Sequence, residues 1–170
     1  MANGAAETRA GIDSRSRAAW VVAALAGIVV ADQLTKSWAV SALADGPKHV
    51  IGDFLVFDLA RNSGSAFSRF QGYTPVLAVL AIVIAVFIAR AVRRTADGWT
   101  LVALVLVLGG ALGNLADRLA RSPGFLRGHV VDFIAVGWWP VFNIADSCIT
   151  IGAILLILRT LFAPTAPPGP

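Results

Sequence analysis

The chain has 170 residues, 57% of them hydrophobic and 14% charged, with a net charge of +4. A soluble domain carries about 25% charged residues, so this composition excludes an ordinary soluble globule; with no basic run interleaved with aromatics, it also excludes a nucleic-acid-binding module. The single cysteine, Cys148, rules out an internal disulfide and a CxxC metal site, and His49 and His129 make no HExxH or HxH spacing, so no metal is expected.

In chain order, 1–17 is polar and is expected to be a disordered cytoplasmic tail. The first predicted span, 18–40, is long enough to cross a ~30 Å hydrocarbon core. Within it Asp32 and Lys36 stand four apart with the acid first, the favourable order for a helical ion pair that would fix this span in a bundle. The segment 41–74 is an outer loop. Its HVIGDFLVFDLA stretch, rich in Val, Ile and Phe and bounded by glycines, predicts a small sheet at the membrane surface. It ends in Asn62-Ser63-Gly64-Ser65-Ala66-Phe67, where small residues would let the backbone approach something extended, although a plain turn explains them equally.

Span two, 75–92, has Thr74 as its cap and Pro75 in its first turn, carries no polar residue inside, and closes on Arg90, Arg93 and Arg94. Span three, 99–119, contains Gly109, Gly110 and Gly113, small residues that let another helix approach closely. Asn114, Asp117 and Arg118 follow them. Asp117, with Arg118 beside it, reads as a supporting paired carboxylate, with a catalytic acid as the alternative. The segment 120–138 is a second outer loop. Span four, 139–162, would start in its first turn with Pro140, below Trp138 and Trp139 in an interfacial belt. That start places Asp146 roughly 9 Å down the helix axis. The Pro-rich 163–170 is expected to be a disordered tail. The arginines at the turn between spans two and three favour a cytoplasmic location for that turn and for both termini. The fold class is therefore an all-α membrane protein, a four-helix bundle at 18–162 with a small extracytoplasmic sheet between spans one and two.

The acidic residues divide by their neighbours. Asp45, Asp53 and Asp58 lie in the loop, where solvation is the default, and Asp32 and Asp117 have basic residues nearby. Asp132 and Asp146 have no Lys or Arg within four positions and sit among apolar residues. A lone carboxylate there is costly to ionise, and two that converge would leave one protonated near neutral pH. No GxSxG elbow or equivalent nucleophile is present. The chemistry indicated is general acid–base activation of water, without a cofactor. Asn143, one turn from Asp146, and Asn114 are placed to orient the pair. A small proton-coupled transporter is the alternative, since intramembrane acids also mark ion pathways. Such a protein would place its acid nearer the midplane and has no evident use for the loop 41–74.

Five segments carry a resemblance: Asp32-Gln33-Leu34-Thr35-Lys36, Asn62 to Phe67, GGALGNLADR at 109–118, VVDFI at 130–134 and FNIADS at 142–147. In this order the chain resembles lipoprotein signal peptidases (signal peptidase II), four-span bacterial aspartic peptidases of the cell membrane. The resemblance implies a diacylglyceryl-modified prolipoprotein as substrate, cut just before the lipidated cysteine. It implies that Asp132 and Asp146 are the catalytic pair. Asp32, Lys36, Asn62, Gly64, Ala66, Asn114, Asp117, Arg118 and Asn143 match supporting or substrate-positioning places. It also implies that membrane lipid and cyclic peptide antibiotics such as globomycin meet the protein, which would act as a monomer with its site near the outer surface. The stretch between Asp117 and Asp132 is longer than in many members, so spacing leaves Asp117 open as half of the pair.

Overall fold

Length and apolar character make four helices of the chain able to cross a membrane, and the four strands lie together at one end of them. The computed structural model describes residues 2–64 and 74–162, with side chains in the first helix from Ser14 onward. Its elements are α1 (Ala2–Ala42), β1 (Lys48–Ile51), β2 (Leu55–Asn62), α2 (Thr74–Arg94), α3 (Gly98–Ala120), β3 (Val130–Val136), β4 (Trp139–Phe142) and α4 (Ile144–Leu161). The membrane-spanning parts are Ser14–Ala42 of α1 and the whole of α2, α3 and α4. The segment expected to be a disordered tail, 1–17, is helical from Ala2 onward. It lacks proline and is rich in alanine, so nothing in it stops the span's helix from extending backwards. The 163–170 tail, and Ser65, Ala66 and Phe67 of the outer loop, lie outside the described residues.

α3 is the central helix, packed against α4, α1 and α2. Its small residues are what allow this. A Cβ at Gly113 would lie 2.7 Å from Asp32 Oδ2, and one at Gly110 would collide with the Ala145 carbonyl oxygen. Side chains there would push α1 and α4 away, and the dispersion contacts of both interfaces would go with them. At the other end Asp97 caps α3, its carboxylate accepting from Thr100 N at 2.8 Å and from Arg159 Nη2 at 3.0 Å. The Arg159 and Thr100 hydrogen bonds hold Asp97 well below the usual carboxylate range. α2 offers large apolar side chains such as Val79, Val83 and Phe87 outward, as a lipid-facing scaffold helix should.

The sheet has four antiparallel strands in the order β1-β2-β3-β4. The expected strands from the first loop are present, but half the sheet comes from the second. β2 pairs with β3 (Ala60 opposite Asp132, Phe57 opposite Ile134), and β3 pairs with β4 (Ile134 opposite Phe142). The start of span four is accordingly corrected. Trp139 to Phe142 form an edge strand, where Pro140 is tolerated because no inner ladder needs its missing N–H. Asn143 is the N-cap and the helix begins at Ile144. Asp146 is therefore in the first turn of α4, at the mouth of the bundle, instead of several residues inside it. A core of Ala39, Leu43 and Phe133, with Phe57 and Ile134 against it, seats the sheet on the end of α1. Trp38 meets Phe57 edge-on, ring centroids 5.4 Å apart, and Phe133 at 6.1 Å. Phe133 is the one fully buried ring of the three, and its burial stabilises the joint by roughly 2–3 kcal/mol.

Candidate active site

Four aspartates from four elements meet where α1 and α3 end, α4 begins and β3 crosses between them. Asp132, on β3, is 3% exposed. Its Oδ1 accepts from Asn143 Nδ2 at 2.6 Å and its Oδ2 from Asn62 Nδ2 at 3.1 Å. Asp146 and Asn143 form a capping box: Asp146 N donates to Asn143 Oδ1 at 2.9 Å, and Asn143 N donates back to Asp146 Oδ2 at 3.3 Å. The other Asp146 oxygen accepts from Asn114 Nδ2 at 2.7 Å. Asn143 Nδ2 also lies 3.2 Å from Asn114 Oδ1. One fully buried amide thus touches Asp132 and Asp146 together, and a second joins Asp146 to α3. Among the described residues neither carboxylate forms an ion pair. Burial pushes the Asp132 carboxyl up to about 6; the Asn62 hydrogen bond opposes this, and the nearby Asp146 charge adds to it.

Asp32 and Asp117 are held in the opposite way. Lys36 Nζ sits 2.8 Å from Asp32 and 2.9 Å from Asp117, all three side chains fully buried, and gives its third hydrogen bond to Asn114 Oδ1 at 2.9 Å. Asp32 also accepts from Ala145 N at 3.0 Å. Asp117 accepts from Arg121 Nε at 2.6 Å, Gln33 Nε2 at 3.0 Å and Val131 N at 3.1 Å. Every oxygen of this pair is occupied by a cation, an amide or a backbone N–H. Asp117 is saturated, with Arg121 and Gln33 on Oδ1 and Lys36 and the Val131 N–H on Oδ2, whereas Asp32 Oδ1 accepts from Ala145 N alone among the described residues.

Arg118 is not the partner of Asp117 that sequence adjacency suggested. Its Nη1 is buried and has no hydrogen-bond acceptor among the described residues. The guanidinium lines a cavity of about 480 Å³ between α2, α3 and α4, together with Gly64, Leu77, Asn114, Leu115 and Ile149. Gly64 is part of the lining of that cavity. Its φ of +86° suits glycine, its N–H donates to Asn62 Oδ1 at 2.7 Å, and a Cβ would strike Leu77 and come within 3.3 Å of Arg118 Nη2. Of the residues singled out from sequence, all but Ala66 are described, and all of those gather here. Gln33 and Arg121 were missed. Arg121 had a legible signal, four residues after Asp117 on the same helical face. The backbone donors of Val131 and Ala145 had none.

The geometry has relatives. The family model for Signal peptidase (SPase) II matches residues 24–162. The chain belongs to the signal peptidase II family. A lipoprotein signal peptidase of Mycolicibacterium smegmatis is 49% identical over 162 residues, covering 95% of this chain and 68% of the relative. One of Mycobacterium avium is 50% identical over 138 residues, covering 81% and 76%. Two solved structures, each described as a bacterial membrane enzyme, superpose with TM-scores of 0.75 and 0.72 at 29% and 32% identity. They cover 89% and 86% of this chain and 95% of their own. The family membership and the four spans make this a multi-pass membrane peptidase, and they set aside the transporter reading.

Proposed function

We propose that the chain is an aspartic endopeptidase that removes signal peptides from diacylglyceryl-modified prolipoproteins, cutting just before the lipidated cysteine, with Asp132 and Asp146 as the catalytic pair. The observation that carries this reading is the contrast in occupancy: these two carboxylates are held by neutral amides and a single backbone N–H, beside an apolar cavity, while their two neighbours are neutralised by cations. The similarity to mycobacterial lipoprotein signal peptidases supports the substrate class.

In this mechanism Asp132, buried and with its carboxyl near 6, carries the proton, and Asp146 is the base. A water between them gives a proton to Asp146 as its oxygen attacks the scissile carbonyl carbon, and Asp132 protonates the carbonyl oxygen to form a gem-diol. The gem-diol collapses as the C–N bond breaks. The leaving nitrogen takes the proton held by Asp146, and a diol hydroxyl returns one to Asp132. Asn62, Asn114 and Asn143 hold the two carboxyls in register. Arg118 offers its unused N–H to a substrate carbonyl, Gly64 leaves room for the extended peptide, and Ala66 of the same motif is assigned to substrate positioning. The acyl chains of the lipidated cysteine lie in the cavity between α2, α3 and α4. Asp32, Lys36 and Asp117 fasten the helices that carry these groups. The enzyme acts as a monomer in a bacterial cell membrane, with its termini cytoplasmic and the pair near the outer surface, where globomycin-type cyclic peptides compete with substrate.

The test is cleavage of a lipidated prolipoprotein, and of its unlipidated form, in detergent. Cutting confined to the lipidated substrate, at the bond before the cysteine, is expected. Equal cutting of both would remove the lipid requirement, and a different scissile bond would remove the proposed specificity.

A further inference from the structure

The end of the bundle remote from the aspartates holds a second cavity, of about 500 Å³, between the start of the α1 span and the end of α2. Arg17 and Lys36 lie nineteen residues apart on α1, so the two ends are separated by roughly 28 Å, about one hydrocarbon thickness. Val21, Val22 and Val92 form an apolar wall, and Arg17 and Arg93 stand at the rim. Arg17 is fixed in place: its Nη2 donates to Val92 O at 3.0 Å and to Thr95 O, two of the carbonyls left open where α2 ends. Arg93 is exposed, as are Arg15, Arg90 and Arg94 at this end of α1 and α2. The nearest carboxylate of the α2–α3 turn, Asp97, is already bound by Arg159 on α4. The opening therefore combines a cationic rim with an apolar wall that runs on into lipid-facing helix surface.

We propose that this cavity binds an anionic phospholipid, with the phosphodiester at Arg17 and Arg93 and the upper acyl chain along Val21, Val22 and Val92. An inorganic anion would use only the rim and a zwitterionic lipid only the wall. A lipid with net negative charge uses both. By bridging α1 and α2 next to the Arg17 contact, the bound lipid clamps these two helices together at the end where, among the described residues, no sheet or ionic cluster joins them.

Native mass spectrometry of the full chain in detergent tests this, titrating phosphatidylglycerol, phosphatidylcholine and inorganic phosphate in separate arms and following thermal stability in parallel. Phosphatidylglycerol is expected to saturate at one retained lipid per chain and to raise the melting temperature, with phosphatidylcholine at least tenfold weaker and phosphate alone without effect. Arg93→Gln, which removes an exposed side chain with no hydrogen bond to any described residue, should weaken phosphatidylglycerol about fivefold. Lys48→Gln, at the opposite end, should leave it unchanged. Equal retention of the two lipids, stabilisation by phosphate alone, or an Arg93→Gln protein that binds phosphatidylglycerol as the parent does would each overturn the proposal.

Discussion

Two pairs of aspartates lie side by side at one end of this bundle, and their surroundings differ in kind. Asp32 and Asp117 share the buried ammonium of Lys36 and are otherwise filled by Arg121, Gln33 and two backbone N–H groups. Asp132 and Asp146 receive hydrogen bonds from Asn62, Asn114 and Asn143 and form no ion pair with a described residue. An ammonium compensates charge and locks geometry, which suits joining helices. A neutral amide locks geometry without compensating charge, so a carboxyl can be oriented and still change its protonation state. Asn114 is the seam between the two regions: its oxygen faces Lys36 and its nitrogen faces Asp146.

Substitutions that exchange these two roles probe the contrast. The largest effect is expected from Asp146→Asn, which keeps an oxygen acceptor for Asn114 but removes the base. Turnover of lipidated prolipoprotein should fall by about a thousandfold or more, with an unchanged melting temperature; retained cutting would mean that Asp146 is not the base. Next comes Lys36→Met. It leaves two buried carboxylates facing each other without their cation and should cost about 3–5 kcal/mol in denaturant titrations. A stability loss under 1 kcal/mol would show that the cluster is not what fastens α1 to α3. Gly113→Ala should cost about 1–3 kcal/mol by driving Asp32 from its place. If the variant melts like the parent, α1 has room to retreat and the close approach is not a constraint.

The smallest effect is a shift in pH dependence. The Asp132 carboxyl is raised to about 6, and the mechanism needs it protonated. The basic limb of kcat/KM should therefore fall as pH rises through about 6, because the protonated form is lost there. The same raised value makes its contribution to stability complete in acid and lost as pH rises through that region. Asn62→Ala removes a hydrogen bond that favours the ionised form, so the limb should move to higher pH. Movement downward would place the proton on the wrong carboxyl.

Much of this arrangement was legible before any coordinates. Apolar runs located the four spans, the i, i+4 spacing gave Asp32–Lys36, and the lack of nearby Lys or Arg separated Asp132 and Asp146 from Asp32 and Asp117, as their apolar surroundings did from the loop acids Asp45, Asp53 and Asp58. What was missed has physical causes. Trp138-Trp139-Pro140 carries both an interfacial and a helix-start signal, and a four-residue edge strand exists only because β3 is there to pair with it. Nothing within the segment itself could announce that partner. Arg118 was matched to Asp117 by adjacency, but neighbours on a helix point about 100° apart. The side chain one turn on, Arg121, reaches the carboxylate, and Arg118 turns to the cavity. The backbone donors to Asp32 and Asp117 belong to β3 and α4, distant in sequence, and leave no trace in residue type.

The most direct measurement sets Asp132→Asn beside Asp117→Asn, with melting temperature and turnover recorded on the same preparations. Asp132→Asn is expected to melt at or above the parent temperature, since it relieves a buried carboxyl, and to cut nothing. Asp117→Asn is expected to melt markedly lower, its cations left unmatched, while the molecules that remain folded still cut. A stable, inactive Asp117→Asn together with an Asp132→Asn that retains turnover would reverse the two pairs and contradict the account.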